Sequence, residues 1–375
     1  MTGMRMLMMV EQLRRPASGG IGTYIRGLLQ GLEDLGASER PDVTLVASRS
    51  MSDQRRPDPL TGLGYAVRAY PLPGPLLTRA WDSGLLRGSR GFDVVQATSL
   101  STLEPGRAAL VTTVHDLLWR RVPEAYPARG RMWHEAALRR ALRRSDRFIV
   151  PADVVAVDLV EAGAPADSVH VIPMGSDHLP PPDEAAASRL LSTMGVDGPF
   201  LLSVGTLEPR KNLPRLVDAY ERVRSSLPEP WPLVLVGPSG WGARVKPATG
   251  VVLTGMVTPP ELSALYAMAR LLAYVPLEEG FGLPPVEAMA LGTPVVASPL
   301  PSTAGAAFEV DPLDTDSIAG GLLTVATDEQ QRDRLRHLGR ERTGQLHWSG
   351  IARQHLSVWE LAHRSTSGSR RGRRG

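Results

Sequence analysis

Short apolar runs alternate with amphipathic stretches along almost the whole chain. Met4–Val10, Val43–Ala47, Phe92–Ala97, Ala108–Val114, Phe148–Val150 and Ser168–Ile172 read as strands in the first half. Continuous apolar runs of this length fit strands buried on both faces of a parallel sheet. Between them lie helical patterns: one opens at Ser18 with apolar positions at Tyr24, Leu28, Leu29 and Leu32, and others span Arg129–Arg147 and Val154–Ala162. Pro199–Val204, Trp231–Val236, Val251–Thr254, Leu271–Val275 and Val295–Ala297 repeat the strand signal in the second half. Helical patterns there cover Pro214–Val223, Glu261–Ala269, Val286–Leu291, Asp316–Thr324, Glu329–Arg342 and Ile351–His363. The pattern predicts an α/β protein of two doubly wound, Rossmann-like domains. The polar passage Pro173–Asp183, with three prolines at 180–182, marks the boundary, and residues 48–90 give no assignable pattern.

Length agrees with two cores, since 375 residues is long for one. No apolar run approaches a membrane span, and the first residues are too short for a signal peptide. The absence of cysteine excludes disulfides, thiolate metal sites and a cysteine nucleophile, and fits a cytoplasmic location. Net charge is +3, but residues 364–375 hold five Arg and no acid, which leaves 37 basic and 39 acidic residues in the body. This Gly/Ser/Arg tail is expected to be disordered, and no specific nucleic-acid partner is expected. Only Lys211 and Lys246 are lysines, so a Lys beside an Arg in a motif invites explanation.

Candidate chemistry gathers where strands end. Pro276–Ser298 reads as a Gly-rich turn, a helix and a strand, a unit that can present backbone N–H groups to an anion. Within it Glu279 and Glu287 could accept bonds from sugar hydroxyls, act as general acid and base, or complement a helix N-terminus. Pro199–Val204 ends at Gly205 and Thr206, and Arg210-Lys211 follow just before a helix, which suits a diphosphate. Ser18–Thr23, with Gly20 and Gly22, is a glycine loop at a helix start, a weak signal alone. His115 stands at the end of a strand, where a ligand would bind, or else packs on Trp119 without a role. The Arg-rich helix 129–147 either touches an anionic membrane or shows a solvated basic face. Asp314-Thr315-Asp316 reads as a helix cap, and no zinc-spaced cluster, P-loop ending or nucleophile elbow occurs.

VGTLEPRKNLPRLVDAYERV together with EEGFGLPPVEAMALGTPVVAS closely resembles the family-4 glycosyltransferases, retaining enzymes of the GT-B fold. The likeness extends to the GGIG loop, the VHD strand end, IPMGSDH, VVLTGMV and VDPLD. It implies an acceptor-binding domain over 1–175, a linker over 176–198, a donor-binding domain over 199–345, and a helix over 346–363 that crosses back. It also implies roles. Gly20 and Gly22 would approach the donor phosphates, Arg210 and Lys211 would neutralise the diphosphate, and Glu287 would hold ribose hydroxyls. Glu279 would bond the transferred sugar with help from the N–H groups of Phe281, Gly282 and Leu283. Val257 would lie near the base and His115 near the breaking bond.

The donor implied is a nucleotide sugar, GDP-mannose ahead of a UDP-sugar, with no metal and no tightly bound cofactor. The acceptor is a hydroxyl on a glycan, glycolipid or small molecule. Two departures from the family stand out: Pro151-Ala152-Asp153 replaces a Ser-Glu pair, and Pro299–Val310 is short and lacks a Leu-Pro-Glu turn. A binding protein without turnover and a nucleotide-sugar epimerase are the rival readings.

Overall fold

The computed structural model describes residues 3–15, 18–49, 58–86, 88–227, 229, 231–240 and 248–371, with backbone alone at 367–371. Lys246 lies outside the described residues. The chain divides into two compact units, the first from residues 1–119, 126–174 and 348–375, the second from 120–125 and 175–347.

In the first unit the elements run β1 (Arg5–Met9), α1 (Gly19–Glu33), β2 (Asp42–Ser48), β3 (Ala66–Tyr70), α2 (Gly74–Asp82), β4 (Val94–Ala97) and β5 (Ala109–Thr113). Then follow α3 (Leu118–Arg121), α4 (Ala128–Arg144), β6 (Arg147–Val150), α5 (Asp153–Glu161) and β7 (Val169–Val171). The seven strands form one parallel sheet in the order β3-β2-β1-β4-β5-β6-β7. β4 and β5 are buried at every position, as central strands of a sheet covered on both faces must be, and their polar Gln96, Thr112 and Thr113 side chains are hydrogen-bonded.

The second unit holds α6 (Glu184–Thr193), β8 (Leu201–Val204), α7 (Leu213–Val223), β9 (Leu233–Val236), β10 (Val251–Gly255), α8 (Pro259–Met268) and β11 (Leu271–Tyr274). It continues with α9 (Leu283–Ala290), β12 (Val295–Ala297), β13 (Phe308–Glu309), α10 (Thr315–Thr327) and α11 (Glu329–Thr343). Its parallel sheet has the order β10-β9-β8-β11-β12-β13. In both sheets the strand order reverses beside the first strand, which is the doubly wound arrangement. One continuous core joins Leu216, Tyr220, Leu233, Leu271, Ile318 and Leu322 from strands and helices of this unit.

Several boundaries differ from the sequence reading. Residues 48–90 contain β3 and α2; β3 is an exposed edge strand, so no apolar alternation announces it. The stretch 176–198 is not a bare linker, because α6 lies within it, capped by Asp183, and packs on α8. The tail expected to be disordered continues as helix: α12 (Trp348–Arg371) extends past His363, and 372–375 lie outside the described residues. The basic face of α4 is narrower than its sequence suggests. Arg140 pairs with Asp82 at 2.8 Å, and Arg144 reaches the Thr102 carbonyl at 2.9 Å and Glu104 at 3.4 Å. Asp314 caps α10 by accepting from the Asp316 N–H.

α12 packs along α1 and over β5. Gly27 and Gly31, one helical turn apart on α1, lie against the fully buried Trp348, where a Cβ at either position would overlap its indole or its carbonyl. Gly27→Ala is therefore expected to destabilise the first unit by about 1–3 kcal/mol through overpacking. The overlap with the indole belongs at the upper end of that range, so about 2 kcal/mol remains after the roughly 1 kcal/mol by which Ala favours a helix over Gly. Urea unfolding followed by circular dichroism measures it, and an unchanged midpoint would contradict the close approach.

Candidate active site

The sheet of the second unit reverses its order between β8 and β11, and the loops after those two strands meet at its carboxyl edge. A crevice forms at such a switch point, and ligands bind there in open α/β sheets. After β8 the backbone passes Gly205 and Thr206 and makes a tight turn at Pro209–Lys211. Asn212 closes the turn in the left-handed region at φ 58, which Asn tolerates better than most residues. Its Nδ2 donates to the carbonyls of Val275 at 3.1 Å and Pro312 at 2.7 Å. Leu277 N–H donates to the Arg210 carbonyl at 2.9 Å. The two loops are thus stitched together by uncharged groups before any charge is considered.

Charge then converges on one atom. Glu279 Oε1 accepts from Arg210 Nη1 at 2.6 Å, from Tyr274 hydroxyl at 2.8 Å and from Lys211 Nζ. Lys211 Nζ also donates to the Tyr274 oxygen at 2.6 Å, and Arg210 Nε meets the buried Glu208 at 2.6 Å. Burial works against an ionised Glu279, but Arg210 and Lys211 outweigh it and hold its pKa down at about 2. Burial pulls the Lys211 ammonium below its usual range against the opposing pull of Glu279, with Arg210 adding to the fall. Burial and then the Glu279 charge lift the Tyr274 hydroxyl well above its usual range, so it stays protonated.

α9 begins at Leu283, three residues earlier than expected, with Pro284 and Pro285 in its first turn where no N–H is required. Gly282 precedes it at φ 90, and a Cβ there would stand 3.1 Å from Ser302 Oγ and 3.3 Å from Leu300. The short Pro299–Val310 segment thus packs under this turn, and Ser302 N–H donates to the Phe281 carbonyl at 3.2 Å. Glu287 falls in the second turn, not the first, and is 6% exposed. Its Oε2 accepts from the Tyr266 hydroxyl at 2.7 Å, and its Oε1 lies 3.0 Å from His178 Nε2. Burial, then the neighbouring Glu287, raises Tyr266 well above its usual range. Those partners, rather than the helix terminus, account for where the carboxylate sits. Val257 follows β10 in the loop to α8 and is half-buried.

Gly20, Gly22 and His115 belong to the first unit. α1 starts at Gly19, so both glycines lie in the helix and not in a loop before it. Gly22 N–H is spent on the Ser18 carbonyl at 3.1 Å, and a Cβ there would strike the Ser18 side chain. Gly20 is exposed within the first turn, whose N–H groups have no carbonyl four residues back inside the helix. His115 follows β5; its Nε2 lies 2.9 Å from the Thr98 carbonyl and must be the protonated nitrogen, since a carbonyl only accepts. Its ring and that of Tyr24 make a T-shaped pair with centroids 5.0 Å apart. Burial lowers its pKa, so the ring is neutral near pH 7.

Sequence reasoning missed Glu208, Tyr266, Tyr274 and His178 as members of the site. His178 ends the IPMGSDH stretch, and Glu208 precedes Arg210 by two residues, so only these two stood inside a noted motif.

Residues 18–178 match the family described as Glycosyltransferase Family 4, and residues 198–328 match Glycosyl transferases group 1. The O-antigen chain mannosyltransferase B of Escherichia coli is 30% identical over 67% of this chain and 70% of its own length. The chain belongs to the family-4 glycosyltransferases. The glycosyltransferase is also 27% identical to the MMP alpha-(1->4)-mannosyltransferase of Mycolicibacterium hassiacum, over 92% of this chain and 95% of that one. It is 28% identical to the D-inositol 3-phosphate glycosyltransferase of Xylanimonas cellulosilytica over 92% of each chain. Among solved structures, Anabaena HepE in complex with UDP and glucose superposes with a TM-score of 0.72 at 20% identity, covering 96% of this chain and 100% of that chain. The sucrose-phosphate synthase of Thermosynechococcus elongatus gives 0.73 at 21% identity over 97% and 100%. These likenesses establish the fold, two parallel-sheet α/β domains as in GT-B glycosyltransferases.

The depressed Glu279 pKa has a consequence for stability. The ionised carboxylate contributes fully above its ordinary value of 4.5, and the contribution is lost as pH falls through about 2. Glu279→Gln is expected to show a flatter loss of stability than wild type between pH ~5 and ~2, read from thermal melts across that range. Parallel acid limbs for the two proteins would rule out the ion cluster as drawn.

Proposed function

We propose that this glycosyltransferase is a retaining mannosyltransferase that takes mannose from GDP-mannose and joins it to a hydroxyl of a sugar-bearing acceptor. The observation that carries the reading is the convergence of Arg210 and Lys211 on Glu279 at the switch point of the second sheet, with Glu287 one helix-turn region beyond. Two fixed cations at a strand-end turn suit a diphosphate, and carboxylates beside them suit hydroxyls. Arg210 and Lys211 stabilise charge on the departing nucleotide, the kind of electrostatic task that is most effective in a dry site. Glu279 receives the hexose hydroxyls, and the N–H groups of Phe281, Gly282 and Leu283 assist. Glu287 receives the ribose. Gly205 and Thr206 let the backbone run close to the phosphates. Val257 lies by the base.

The acceptor oxygen bonds to the anomeric carbon on the face from which the diphosphate departs, and a phosphate oxygen takes the acceptor's proton. Configuration is retained without a covalent enzyme intermediate, and no metal takes part. Mannose is favoured by the mannosyltransferase relatives. A second reading takes a UDP-sugar as donor, and for its acceptor the D-inositol 3-phosphate glycosyltransferase relatives favour a small phosphorylated molecule.

Incubation with a panel of nucleotide sugars tests the donor: GDP-mannose should be consumed fastest, and transfer should persist in excess chelator. Nucleotide binding with no turnover of any donor would mark a binding protein instead. Lys211→Ala should weaken nucleotide affinity about tenfold to a hundredfold, the range for losing a bond to a charged group. Unchanged affinity by calorimetry would mean that the diphosphate binds elsewhere.

A further inference from the structure

The diphosphate-binding cations are not free in this structure. Arg210 and Lys211 carry two positive charges, and Glu208 and Glu279 beside them carry two negative ones. The four side chains are nearly out of water, at 19%, 10%, 4% and 10% exposure, so their mutual attraction is weakly screened. Glu279 directs a single oxygen, Oε1, at Arg210, Lys211 and Tyr274, the position of an anion lodged between the cations. An arriving diphosphate competes with that carboxylate. A nucleotide sugar brings hexose hydroxyls that can satisfy it, whereas a free nucleoside diphosphate has only the ribose hydroxyls, which go to Glu287.

Resting on the reading that Arg210 and Lys211 take the diphosphate, we propose that Glu279 is an internal competitor of that group, one that selects the nucleotide sugar over the nucleoside diphosphate product. After transfer the carboxylate returns to the cations and favours release of the product.

Calorimetric titration of the full chain with GDP and GDP-mannose, and with UDP and UDP-glucose, tests this. Glu279→Gln keeps the shape and removes the charge. It should tighten the nucleoside diphosphate by about tenfold or more, equivalent to about 1.4 kcal/mol, and tighten the nucleotide sugar less or weaken it. Tyr274→Phe, which removes one donor holding the carboxylate, should shift the same ratio in the same direction if Glu279→Gln does not fold. Glu208→Gln also deletes a negative charge, at the carboxylate that meets Arg210 Nε, and should move both ligands alike. An unchanged ratio in Glu279→Gln, weaker binding of the diphosphate, or an equal ratio shift in Glu208→Gln overturns the proposal. Lys211→Ala separates the two failures: if it leaves diphosphate affinity intact, the binding assignment itself is wrong.

Discussion

One carboxylate oxygen shared by an arginine, a lysine and a tyrosine is the constraint around which the second unit's ligand edge is arranged. Three donors on one buried acceptor are tolerable only if none can drift into water, and the fold meets that demand with uncharged groups. Asn212 ties the first loop to the end of β11, and the Leu277–Arg210 bond ties the second loop back. The side chains therefore meet because the backbones are already fixed, a preorganisation that favours charge stabilisation over charge reorganisation. Removing the stitching would leave the same residues present and the cluster absent.

The central strands were legible because burial on both faces leaves mostly apolar residues, as in Leu233–Val236 and Leu271–Tyr274. Where burial relaxes, the signal fades. β3 lies on an edge with exposed side chains, and its Ala-Val-Arg-Ala-Tyr carries no stripe. α6 was hidden by the prolines before it, although Asp183 caps it by accepting from the Ala186 N–H, a local signal that could have been read. The early start of α9 was masked by the same prolines that open it.

Charged members of the site were readable from residue type and strand-end position, but their partners were not. Tyr274 is the last residue of a strand, and periodicity says only which face it occupies, not that its hydroxyl meets a carboxylate. His178 stands 109 residues from Glu287, a pairing created by the chain's path and invisible to local pattern. Gly22 stands out in the sequence as a glycine, but nothing there shows that its N–H bonds the Ser18 carbonyl or that a Cβ at that position would meet the Ser18 side chain.

The contact of Gly27 and Gly31 with Trp348 bears on how the chain matures during synthesis. The first unit contains both the earliest helix and the last one, with more than three hundred residues between them. Until Trp348 leaves the ribosome, α1 has an uncovered glycine-lined face, and the sheet beneath lacks the layer supplied by α12. The second unit, contained almost wholly in 175–347, has its residues complete before then. The unit whose synthesis begins first is thus the one whose residues are completed last.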